Sequence, residues 1–240
     1  MSTKPGTIPS EALQVLADLH QLFPVRALHL VSAMRVENKK NKKFPKWREG
    51  QIAKLALMVT QSAMDLDRAY TEDRMTTLAW AARNLLEISI WIDYCDLTEE
   101  RAKRFYDDAM RDLYGLSQAV QRIFEVKAGT KDKGLEEKLS DFSQFAQSMG
   151  VDELGDDFKP VSDAAREVGR YDEFRGLNKL LSKFAHPTAW AIHIADSDGV
   201  EEGYKTMILK DGAELAMNSI ITIRKIIRAQ YREIAKSKGD

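Results

Sequence analysis

Apolar and polar residues alternate along this chain with the period of helices almost throughout. Ile52, Leu55, Val59, Ala63 and Leu66 recur three or four residues apart, which predicts a long helix from about Arg48 to Tyr70. Thr71-Glu72-Asp73 reads as the cap of the next helix, Met75 to Cys95, where the pattern changes character. In MTTLAWAARNLLEISIWIDYC nearly every side is apolar, and a helix without a polar face is normally wrapped by others. This helix is therefore expected at the centre of the fold. Thr98 followed by Glu99-Glu100 caps a further helix, expected to be the longest, to about Lys127. Its Phe105, Met110, Leu113, Leu116, Val120, Ile123 and Phe124 make one apolar stripe.

Shorter helices are predicted on either side. Upstream, one runs from Ile8-Pro9-Ser10-Glu11 to about Leu22, ended by Pro24, and another from about Val25 to Glu37. Downstream, helices are expected over 134–149, 161–168, and from Tyr171 to about Ala185, where Pro187 disfavours helical geometry for His186. Trp190-Ala-Ile-His-Ile alternates, DSDG reads as a turn, and Tyr204 to Leu209 looks extended, so a short β-hairpin is expected near 189–210. A last helix runs from about Asp211 to Lys236, with Arg224, Arg228 and Arg232 in an exposed row. The expectation is an all-α fold: a disordered lead-in over 1–9, then one elongated helical bundle over 10–240.

Composition narrows the function classes. The 240 residues carry a net charge of −1, so no overall field draws the chain to nucleic acid or to an anionic membrane. Arg83 and Glu87 interrupt the most apolar stretch, so no membrane span is expected. The N-terminal stretch lacks the apolar core of a secretion signal, and a cytoplasmic protein is expected. The single cysteine, Cys95, excludes an internal disulfide and reads as a packed thiol. Neither phosphate-loop glycine motif, H-E-x-x-H nor Glu-x-x-His occurs, so no cofactor and no metal are expected.

Two sets of residues remain as candidate chemistry. The first lies in and around the central helix. Arg83 and Glu87 stand four apart on one face with Asn84 beside them, and buried charges exist for each other or for something bound. If the pair is dry, removing Glu87 should destabilise by ~3–5 kcal/mol. On the helix ending at Ala185, Arg175, Asn178, Ser182 and His186 lie opposite the leucine face and form a second candidate binding surface. The other set is NKKNKKFPKWREG, where Lys39, Lys40, Lys42, Lys43, Lys46 and Arg48 surround Phe44 and Trp47. Basic side chains interleaved with aromatics suit a single-stranded nucleic-acid platform, and equally a solvated loop whose aromatics tuck inward.

The motifs Ala-Arg83-Asn84-Leu-Leu-Glu87 and Leu181-Ser182-Lys-Phe-Ala-His186-Pro187 together resemble an uncharacterised group of bacterial helical proteins. That group is similar to the HEPN superfamily, helical bundles of toxin–antitoxin and phage-defence systems. The resemblance covers about residues 48–235. It implies a HEPN-like bundle, a homodimer, and RNA as partner, with metal-independent cleavage by Arg83, Glu87 and His186. HEPN ribonucleases carry Arg-x(4–6)-His, whereas here no histidine follows Arg83 within six residues and His186 follows Arg175 by eleven. A non-catalytic binding or dimerisation module with a structural Arg83–Glu87 pair therefore stays open beside it.

Overall fold

A computed structural model describes residues 10–17, 23–41, 45–130, 132–148, 150–151, 154, 159–186 and 200–236. Among them are nine helices and no strand, so the fold is all-α. In chain order these are α1 (Ser10–Ala17), α2 (Phe23–Asn41), α3 (Lys46–Thr71), α4 (Met75–Leu97) and α5 (Glu99–Ala128). They continue as α6 (Lys133–Ser148), α7 (Val161–Glu167), α8 (Tyr171–Ala185) and α9 (Val200–Lys236). The expected lead-in over 1–9 and the Trp190 arm of the expected hairpin lie outside the described residues.

The chain forms two compact units. Thr98–Pro160, with α5 and α6, makes one, and the remaining helices make the other. In the larger unit α4 takes the central place its pattern predicts, packed by α3, α7, α8 and α9. Leu78, Leu85, Leu86, Ile90 and Ile92 are fully buried although they point in different directions round the helix. α9 crosses α3 and α4 at Gly212. A Cβ there would stand 2.8 Å and 3.0 Å from the methyls of Leu66 and 3.5 Å from Ala82 Cβ, so a bare glycine sets the approach.

Three element boundaries differ from the sequence reading. Pro24 does not end a helix but sits in the first turn of α2, where its missing N–H has no partner to lose. Tyr204 to Leu209 is helical, so α9 begins eleven residues before Asp211 and, at 37 residues, is longer than α5 at 30. Six residues of alternating pattern cannot separate strand from helix. The buried positions 205, 208, 209, 212, 213 and 216 follow the helical period instead. Thr71 bonds back to the Asp67 carbonyl at the end of α3, and the turn into α4 is made by Asp73 in left-handed geometry, φ 58°. The Thr98 cap holds as expected, its hydroxyl accepting from the Arg101 N–H at 3.2 Å.

A buried lysine fastens that turn. Lys205 on α9 pairs with Asp73 and with Glu202, and its ammonium lies 5.5 Å from the Tyr70 ring centre. Burial pulls its pKa down, but the hydrogen bonds it donates to Asp73 and Glu202 outweigh this and the pKa lies above the ordinary value. No helix among the described residues is long and apolar enough to cross a membrane.

Candidate functional site

The site forms where α8 ends against α4. The start of α8 is held first. Arg170, just before it, donates to Asp93 of α4 at 2.6 Å and to Glu173 at 2.7 Å and 2.8 Å. These bonds raise the Arg170 pKa, and the same guanidinium lowers that of Glu173. Thr222 of α9 reaches the other oxygen of Asp93 at 3.4 Å. Phe174, Leu181, Phe184 and Ala185 then bury the inner face of α8.

At its other end α8 meets Trp80, Arg83 and Glu87, which stand three and four apart on one stripe of α4. The Trp80 indole N–H donates to the Ala185 carbonyl at 3.3 Å, satisfying a group that a helix C-terminus leaves open. His186 follows in extended geometry, φ −125° and ψ 151°, as the proline after it requires. Its Nε2 lies 3.3 Å from Arg83 Nη1, and Arg83 Nε donates to Glu87 Oε1 at 3.1 Å. A guanidinium can only donate, so the contact is a hydrogen bond in the tautomer that presents a lone pair at Nε2. Arg83 Nη2 has no hydrogen bond among the described residues.

The structure thus brings Arg83, Glu87 and His186 together. A wheel that continues α8 through residue 186 turns the imidazole away from α4. Because His186 has left the helix, the wheel no longer governs it. The pair is also not dry: the Arg83 and Glu87 side chains are 32% and 33% exposed. Trp80, within the all-round apolar stretch expected to be wrapped by other helices, is 55% exposed. Its role at the α8 terminus was missed; its place three residues before Arg83, on the same stripe, was the available signal.

The remaining candidates scatter. Asn84 and Arg175 are exposed. Ser182 spends its hydroxyl on the Asn178 carbonyl at 2.6 Å, and Asn178 Oδ1 is buried with no hydrogen-bond partner among the described residues. Of the basic stretch, Lys39 lies exposed on α2, Lys40 belongs to the same helix, and Lys46 and Trp47 open α3; Lys42, Lys43 and Phe44 lie outside the described residues. Arg48 departs from the expected patch. It is buried, donating to Gln51 at 2.7 Å and to the Cys95 carbonyl at 2.9 Å, because one turn into α3 its position faces the core. Cys95 packs as expected of a structural thiol. Burial pushes it up to about 12, against the opposing pull of the Arg48 guanidinium.

Among the described residues no three histidine, cysteine or carboxylate groups gather as metal ligands. Comparison with family models, with curated proteins and with solved structures finds no match.

Proposed function

We propose that this chain binds RNA at the corner where α8 ends against α4, and that it cuts RNA there without a metal, as a cytoplasmic HEPN-like protein of bacterial defence or stress type. The observation that carries the reading is the 3.3 Å contact between Arg83 and His186, residues 103 apart in sequence, with Arg83 Nη2 making no hydrogen bond among the described residues. Phosphodiester cleavage needs a group that takes a proton and a fixed positive charge beside it. A phosphate that draws the Arg83 donors onto its own oxygens releases the Nε2 lone pair. The imidazole then takes the proton of the 2′-hydroxyl, O2′ attacks phosphorus, and the bond to the 5′-oxygen breaks, that oxygen taking a proton from water. Arg83 holds the charge gathering on the phosphate, and Glu87 keeps the guanidinium in place. Exposed Lys39, Lys46, Arg224 and Arg228 offer sequence-independent phosphate contacts.

The test is to incubate purified protein with a mixed RNA pool in EDTA. Cleavage is expected to fall ~100- to 10,000-fold in His186→Ala and in Arg83→Ala. Activity surviving both substitutions, or absent from the wild type, removes the catalytic reading. A second reading then stands on the Trp80–Ala185 bond: indole, guanidinium and imidazole clasp the end of α8 to α4 in a non-catalytic binding module.

A further inference from the structure

One face of α5 has an apolar signature of its own. Leu113, Leu116, Val120, Ile123 and Phe124 share one side of the helix. Within its unit α6 packs elsewhere: Tyr114, about 160° round from Leu116, stacks on Phe142 of α6 at 6.5 Å between ring centres. Leu113, Phe124, Ile123 and Leu116 are consequently 47%, 47%, 53% and 60% exposed, and Val126 beside them is 86% exposed. Single exposed apolar side chains are ordinary, whereas four on one face, with Val126 at its margin, form a patch.

We propose that this face is covered by α5 of a second copy of this chain, the two helices running antiparallel. The area fits. The four exposed fractions on this face, with Val126 at its margin, amount to between two and three large apolar residues, on the order of 400–500 Å². A standard interface takes ~800 Å² from each partner, and in homodimers about two thirds of it is apolar, ~500 Å². The charges choose the direction. Exposed Asp112 stands at one end of the stripe and exposed Lys127 at the other. Antiparallel pairing about a two-fold axis between Ala119 and Val120 sets Leu116 against Ile123 of the partner subunit. It also sets Asp112 against Lys127 of the partner subunit at both ends, as an isologous contact requires. Parallel pairing stacks aspartate on aspartate and lysine on lysine, which is unfavourable at both ends.

Sedimentation equilibrium of the full chain from 1 to 100 µM at physiological salt is the assay, with far-UV circular dichroism as the check on folding. The wild type is expected to dimerise. Leu116→Glu removes one apolar contact and buries one charge in each copy, so the dissociation constant is expected to rise at least ~100-fold. Asp112→Lys and Lys127→Asp are each expected to weaken the dimer several-fold, and the double swap to restore it, since it re-forms both pairs with signs exchanged. A chain monomeric at 100 µM overturns the proposal, as does a dimer indifferent to a folded Leu116→Glu. Weakening by each single swap without restoration by the double overturns the antiparallel pairing. Should Leu116→Glu misfold, the swaps decide alone, because both positions are exposed and tolerate either charge in the folded chain.

Discussion

Replacing Glu87 by alanine tests how the Arg83 corner is built. In a dry pair the stranded guanidinium keeps its charge with nothing to solvate it, and the loss reaches ~3–5 kcal/mol. Here both side chains are about one-third exposed, so water reaches Arg83 once Glu87 is gone. What remains is the pair itself. A helix pair four residues apart contributes ~0.3–0.5 kcal/mol at a surface, and partial burial at 3.1 Å raises this toward 1 kcal/mol. Arg83 also keeps its contact with His186, which holds the guanidinium near its present position. The expected loss is therefore about 1 kcal/mol, or a fall of ~2–4 °C in melting temperature for a chain of this size. Urea titration followed by circular dichroism measures it. A cycle of Glu87→Ala, Arg83→Ala and the double variant isolates the coupling, expected at ~0.5–1 kcal/mol and smaller in 1 M salt. A loss of 3 kcal/mol or more would show that the pair is dry after all. Zero coupling would show that the contact does not form in solution, and the site built on it would fall.

Two glycines of α9 should respond with opposite signs. Gly212→Ala gains ~1 kcal/mol in helix propensity, yet its Cβ meets the fully buried Leu66 at 2.8 Å, and overpacking of ~1–3 kcal/mol leaves a net loss of about 1 kcal/mol. Gly203→Ala meets nothing within 4 Å and should stabilise by ~0.5–1 kcal/mol; stabilisation by both in urea titrations would refute the close crossing. The Cys95 thiol, pushed up to about 12, should resist alkylation at pH 8 until the chain unfolds, and rapid labelling of folded protein would contradict its burial. Its sign of linkage is also fixed. Above pH 9 the unfolded thiol has lost its proton and the folded one has not, so stability falls by ~1.4 kcal/mol per pH unit from pH 9 toward 12. Comparing the wild type with Cys95→Ala over that range isolates this slope; identical slopes would refute it.

The sequence alone determined what depends on neighbours along the chain. Helical period marked α3 to α8 close to their observed limits, the all-round apolarity of Met75–Cys95 put α4 at the centre, and Pro187 ended α8 at Ala185. It also singled out Arg83, Glu87 and His186, since strongly polar groups next to apolar runs stand out in a list of residues. Only the tertiary structure decided where those groups point and how wet they are. A helical wheel gives direction about a helix's own axis and says nothing of which neighbour stands there. The wheel turned His186 away from α4, the all-round apolar stretch implied a wrapped Trp80, and the basic stretch left Arg48 among surface cations. The fold swings the extended His186 back to Arg83, leaves Trp80 half in water at a helix end, and spends Arg48 on the Cys95 carbonyl. Each outcome turns on contacts between segments tens of residues apart or more, and spacing along the chain carries no record of them.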